Sequence, residues 1–305
     1  MYPTEPSCHT DLSRRRFTAG LIRSALTISA TGTSLFLPAN STNNKTYTVQ
    51  DIIDLILKEG KLSKIPDTVD TIKAGSGSQQ ITSIVTTMFA TAEVIRKAAE
   101  LGANFIIAHE PTFYNHKDAT DWVAANRIVS QKQELLKKHN MAIWRFHDYC
   151  HSIRPDVISY GVVRKTGWVP YYQNKPMMTI PSVSLGAMVA HLKQSLGIEH
   201  LRVIGNPEQL CTRVALLPGA SGGQGHVRLS EAEQPDVLIV GEAPEWESPE
   251  YFRDAGLMGN KTALIVLGHA ASEEPGMEYF VEWLQPKLQS IKITHVASGS
   301  PFTWY

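Results

Sequence analysis

The chain has 305 residues, 43% of them hydrophobic, which is enough to bury a substantial core in one large α/β domain or two smaller ones. Its 29 basic and 29 acidic residues cancel, and the sequence pI is about 7.2. That balance leaves no electrostatic footprint for nucleic-acid phosphates or an anionic membrane surface, so neither is expected as a partner.

Along the chain, the first segment does not read as fold. Ser13-Arg14-Arg15-Arg16-Phe17 matches the core of a twin-arginine signal, and residues 18–38 are apolar with the single charge Arg23. Residues 1–39 are therefore expected to be a signal peptide that exports the folded protein to the periplasm or beyond, leaving it cytoplasmic only if the signal is unused. Cys8 would leave with it, and Cys150 and Cys211 have no short spacing that argues for a disulfide, so two buried thiols are expected. No later stretch approaches the ~18 consecutive apolar residues of a membrane helix.

Residues 40–48 are polar and read as a linker, and 49–305 as the α/β domain. Val49, Ile52, Ile53, Ile56 and Leu57 share one helical face, which Gly60 ends. Residues 65–80 read as a loop, 81–89 as a β-branched strand, and 93–101 as a helix stopped by Gly102. A short apolar run at 104–108 has the form of a strand buried on both faces. A helix is predicted over 121–140 and a strand over 141–146. A helix at 183–196 and strands at 201–204 and 214–217 follow. The turn Gly219-Ala220-Ser221-Gly222-Gly223 offers backbone N–H groups that could cradle an anion. Strands at 237–240 and 264–267 and a closing helix at 277–288 complete the chain. Strands alternating with helices imply an α/β architecture of mixed, largely parallel sheets flanked by helices.

Four of the buried strands end in the same chemistry. Residues 105–108 run into His109-Glu110 and 143–146 into His147-Asp148. Residues 237–241 run into Glu242 and 264–268 into His269. In open α/β sheets ligands bind just beyond the carboxyl ends of strands. One histidine there is usually an ordinary hydrogen-bonding group. Three of them, each with a carboxylate within four residues, point instead to a metal site for Zn, Mn or Fe. His147-Asp148-x-x-His151 places three candidate donors within about one turn. His269-x-x-x-Glu273 puts both side chains on one face if that segment is helical.

These motifs resemble the dinuclear-metal-centre hexameric protein family, also called "NIF three"-like or GTP cyclohydrolase type 2-like. The resemblance covers roughly residues 49–305 and is carried by Ala108-His109-Glu110-Pro111, by the strand ending in His147, by Gly241-Glu242, and by Gly268-His269-x-x-x-Glu273. It implies two related α/β layers around a central metal site, assembled as a hexameric ring. It also implies two divalent ions: His109 and His269 on one, Glu110 and His151 on the other, and Glu273 bridging both. The family has His where this chain has Glu110, and Asp where it has His151, so one imidazole and one carboxylate exchange places. Asp148 is the alternative donor for the second ion, with His151 then only orienting a ligand.

A two-ion centre suits hydrolysis of an amide-like, cyclic-amidine-like or phosphoester bond in a small molecule, with Glu242 or His147 as general base. An exported protein would rarely meet GTP, so the family label does not carry its reaction over. The alternative is a non-catalytic metal-binding assembly, a metallochaperone or structural ring.

Overall fold

The computed structural model describes residues 46–305, so the twin-arginine segment and most of the linker lie outside the described residues. In chain order the elements are α1 (Val49–Glu59), β1 (Ile72–Ala74), β2 (Ile84–Thr87), α2 (Ala92–Glu100), β3 (Phe105–Ala108), α3 (Arg127–Lys138), β4 (Ala142–Arg145), α4 (Asp148–Ser152) and α5 (Val157–Lys165). Then come β5 (Met177–Ser184), α6 (Leu185–Leu196), β6 (Arg202–Ile204), β7 (Leu210–Leu217), α7 (Gly223–Glu233), β8 (Val237–Val240), α8 (Ser248–Leu257), β9 (Ala263–Val266), α9 (His269–Leu284) and β10 (Ile293–His295).

Local chemistry sets most of these boundaries. Thr48 and Asp51 form a reciprocal capping box at the start of α1, which Gly60 closes. The helix predicted over 121–140 is divided: a short 3-10 turn at Asp121–Val123 precedes α3, because the Asn126 side chain accepts from the N–H groups of Ile128 and Val129 and starts a new helix there. The predicted loop 65–80 contains β1, an edge strand of three residues. The closing helix begins at His269, eight residues before the predicted start at 277, and carries Pro275 inside it.

The strands form two five-stranded sheets, in the orders β1-β4-β3-β2-β10 and β5-β7-β8-β9-β6. Each has a parallel centre with antiparallel strands only at its edges: β1 in the first sheet, whose other edge β10 is parallel, and β5 and β6 in the second. Strands β2, β3, β4, β8 and β9 are buried at every residue, as expected of parallel strands covered on both faces. The result is a mixed α/β fold of two similar layers.

Helices α5 and α9 lie between the sheets and join the layers. Val157 and Ile158 of α5, with Met277, Phe280 and Leu284 of α9, pack into the core of the first sheet. Val162 and Val163 pack into the core of the second. The two helices touch through glycine: a Cβ on Gly161 would collide with the backbone of Pro275 and Gly276, and one on Gly276 with Ile158. On the outer faces, α2 and α3 cover the first sheet and Phe252 of α8 helps cover the second. Cys150 and Cys211 are buried and free, as expected from their spacing. No helix among the described residues is long and apolar enough to cross a membrane.

Candidate metal centre

Strand register brings the chemistry together. Ala108 of β3 pairs with Arg145 of β4, so the chain leaves both strands at the same level with His109 and His147 side by side. Their rings stack with centroids 4.8 Å apart, and His151, one turn into α4, meets both edge-on. From the second layer, α9 starts directly after β9. It is helical from its first residue, so His269 and Glu273 lie one turn apart on one face and point at the ends of β3 and β4.

Two oxygens organise the cluster. Glu273 Oε2 lies 3.4 Å from His109 Nε2 and 3.0 Å from His269 Nε2. Glu110 Oε1 lies 3.5 Å from both His147 Nε2 and His269 Nε2. His109, Glu110 and Glu273 form one compact set of potential donors, and His109, His147 and His151 form another, each with its donor atoms within 4.8 Å of one another.

All four imidazoles are oriented the same way. Nδ1 of His109 meets the carbonyl oxygen of Phe146 at 3.0 Å, and Nδ1 of His147 meets Asp148 Oδ1 at 3.0 Å. Nδ1 of His151 meets Asp156 Oδ2 at 2.9 Å, and Nδ1 of His269 meets Glu242 Oε1 at 2.7 Å. A carbonyl or ionised carboxylate can only accept, so each ring carries hydrogen on Nδ1 and keeps Nε2 for another partner. This is how metal-binding histidines are commonly held: an acceptor behind the ring fixes tautomer and aim.

The residues fit a cation. His109 is fully buried, and its Nε2 makes no hydrogen bond. With the proton on Nδ1, its lone pair faces a carboxylate oxygen of Glu273, an arrangement of two acceptors that a positive charge between them would relieve. The carboxylates stay ionised. Burial would raise the pKa values of Glu110 and Glu273, but the surrounding histidines outweigh it and hold both below the usual carboxylate range. Burial works against an imidazolium at His269, yet hydrogen bonds to Glu110, Glu242 and Glu273 prevail and push its pKa up to about 12, so its Nε2 holds a proton toward Glu273 that a metal ion would have to displace.

The sequence candidates separate by position. His109, Glu110, His147, His151, His269 and Glu273 converge. Asp148 sits behind His147 instead: one oxygen accepts from its ring and the other from the Thr68 hydroxyl and the Val69 N–H. Glu242 stands behind His269 with its side chain about half exposed. The glycine turn passes over the cluster: Gly219, at φ +70°, leaves no room for a Cβ against the Glu273 carboxylate. Its last N–H, on Gly223, is already taken by Glu247 Oε2 at 2.9 Å.

Three further residues shape the cluster without standing out in the sequence. Arg145 is completely buried and donates from Nε to the His109 carbonyl at 3.2 Å and from Nη2 to Glu110 Oε2 at 3.3 Å. A charged residue inside the apolar run 141–146 was the available signal. Asp70 receives the N–H groups of His147, Asp148 and Tyr149 at 2.8–3.0 Å and so caps α4 from the loop before β1. Asp156 orients His151 from the start of α5.

A model of the family described as Duf34/NIF3 (NGG1p interacting factor 3) matches residues 68–301, which hold every residue of this cluster. The chain belongs to the Duf34/NIF3 family. Among its relatives, a protein of Clostridium perfringens named GTP cyclohydrolase 1 type 2 homolog is 23% identical over 255 residues, spanning 79% of this chain and 90% of the relative. A protein of the same name from Neisseria meningitidis serogroup B is 26% identical over 74% of this chain and 87% of its own length. In fold, the chain is similar to a Bacillus cereus protein related to NIF3, with a TM-score of 0.67 at 16% identity over 86% of this chain and all of that one. It is also similar to reduced HcgD from Methanocaldococcus jannaschii, with a TM-score of 0.64 at 16% identity over 82% of this chain and 98% of that one. Both likenesses extend through the two layers of this NIF3 fold.

Proposed function

We propose that this Duf34/NIF3 protein is a two-metal hydrolase acting on a small molecule with an amide-like, cyclic-amidine-like or phosphoester bond. The observation that carries the reading is the buried Nε2 of His109, unpaired and aimed at Glu273, inside a ring of imidazoles whose Nδ1 atoms are all engaged from behind. His109, His269 and Glu273 would hold one ion, and Glu110 with His151 and His147 the other. The chemistry such ions supply when bound is Lewis-acid polarisation and a nucleophile at neutral pH.

The chain's own groups do the rest. Phe146, Asp148, Asp156 and Glu242 fix the four rings. Arg145 occupies one oxygen of Glu110, which leaves Oε1 to face the cluster. Glu242 is kept ionised by its bond to His269, and its exposed half can accept a proton at the mouth of the site. The side chains of His147, His151 and His269 are 16–38% exposed, so the cluster opens to solvent on one side. An open side favours catalysis over a closed storage or structural site. The relatives' name supports a hydrolytic assignment but not GTP as substrate. The Ser13–Phe17 motif supports export after folding, a route that lets the ion be chosen in the cytoplasm, and the family resemblance supports a ring-shaped hexamer.

The test is metal analysis of the purified chain, then a screen of phosphodiesters, N-acyl amino acids and cyclic amidines with and without added Zn, Mn and Fe. Occupancy approaching two ions per chain with metal-dependent hydrolysis supports the reading. Two ions with no turnover of any class would favour the non-catalytic assembly.

A further inference from the structure

A cavity of about 620 Å³ lies between β1, the loop 113–120 and α3, with Lys73, Lys117, Asp118, Gln133 and Lys137 among its lining residues. That volume falls in the usual range for small-molecule sites. One of its groups is buried without a hydrogen bond, and a lysine ammonium faces it. The Lys73 side chain is only 8% exposed, and its nearest carboxylate oxygen, Asp118 Oδ2, is 3.7 Å away, beyond hydrogen-bond distance. Asp118 is 2% exposed. Its Oδ1 accepts from the Phe113 N–H at 2.7 Å, but its Oδ2 accepts no hydrogen bond, with Arg145 Nη1 at 3.8 Å.

Lys132, which is buried, shows the contrast, since it donates to the Thr112 carbonyl at 2.6 Å. Buried polar groups are almost always hydrogen-bonded, so a buried acceptor left open beside an ammonium group on a cavity wall calls for a partner. Its chemistry follows from theirs. Lys73 needs an acceptor, and Asp118 Oδ2 needs a donor. Three lysines against a single carboxylate make the lining net positive.

We infer that this cavity binds a small organic anion carrying a hydroxyl near its charged group, such as a phosphorylated or carboxylated polyol. The anionic oxygens accept from Lys73, the hydroxyl donates to Asp118 Oδ2, and Lys117 and Lys137 draw the anion in. The inference is independent of the metal reading, although Arg145 borders both sites.

Calorimetry on the full chain tests it with four probes: glycerol 3-phosphate, glycerate, ethyl phosphate and glycerol. Glycerol 3-phosphate or glycerate should bind, and which binds tighter names the anion. Ethyl phosphate and glycerol, each lacking one of the two features, should bind roughly tenfold or more weakly. Lys73→Met should weaken the preferred ligand by about tenfold or more, and Asp118→Asn should narrow its advantage over ethyl phosphate. The exposed pair Lys117→Ala and Lys137→Ala should weaken binding several-fold, and it carries the test if Lys73→Met does not fold. His269→Ala should leave binding intact. No binding at millimolar concentrations overturns the proposal. So does binding indifferent to the lysine variants, or binding lost with His269→Ala, which would place the anion on the metal centre.

Discussion

His109 Nε2 and Glu273 Oε2 face each other at 3.4 Å across the junction of the two layers, with no hydrogen bond between them. One residue ends a strand of the first sheet and the other sits one turn into a helix that follows the second. The centre therefore exists only when both layers are docked. Losing a donor from the second layer should empty it: His269→Ala and Glu273→Ala should each lower metal content from near two ions per chain to well below one, read by elemental analysis. Full occupancy in His269→Ala would sink the assignment.

The groups behind the rings should matter almost as much as the ligands. Asp156→Asn removes the carboxylate from His151 Nδ1 without touching the donor itself. Metal affinity should fall about 10–100-fold, as it does when such supports are removed elsewhere. Competition with a chromogenic chelator measures it, and an unchanged affinity would exclude His151 as a ligand.

Against the pattern that the family resemblance implies, Glu110 and His151 exchange donor types, and each has its own anchor. Arg145 faces Glu110, and Asp156 faces His151. The exchange Glu110→His with His151→Asp should therefore bind metal more weakly than the wild type, because it sets an imidazole against a guanidinium and a carboxylate against a carboxylate. Wild-type affinity in the double variant would show that these anchors are incidental.

Arg145 is wholly buried between Glu110 and Asp118. Arg145→Met should cost about 3–5 kcal/mol of stability by leaving buried carboxylates uncompensated. A bound divalent ion supplies part of the missing charge, so the loss in urea denaturation should be smaller for metal-loaded protein. An equal loss with and without metal would separate Arg145 from the centre.

Lys132 has a pKa lowered by burial to about 8, only partly offset by Asp118, against an ordinary value of 10.5. The folded state binds its proton less tightly than the unfolded state, so stability should rise with pH between about 8 and 10.5. The full span is at most about 3 kcal/mol. Denaturation curves across that window should show this rise, and Lys132→Met should lack it.

Gly161 lets α5 touch the backbone of α9 at Pro275 and Gly276. Gly161→Ala should destabilise the chain by about 1–3 kcal/mol or more through overpacking. Because α9 carries His269 and Glu273, metal affinity should fall as well, which thermal melts with and without metal would resolve.

The sequence by itself determined the strand ends. Short apolar runs at 104–108, 237–240 and 264–267 read as strands buried on both faces, as β3, β8 and β9 are within a residue at each end, and the residues that follow them carry imidazoles and carboxylates of the centre. The spacing of His269 and Glu273 fixed their common face once the segment proved helical. Elements too short to show a period, such as β1 and α4, left no trace in the pattern. Tertiary structure alone decided which acceptor stands behind each ring. Asp148 and Asp156 lie within five residues of a histidine and Glu242 lies far from any, yet all three stand behind a ring, and only the docking of α4, α5 and α9 against the strand ends assigns them. It also decided the place of Arg145: a buried charge is tolerated only where partners from distant segments meet it, and local periodicity cannot encode such a meeting.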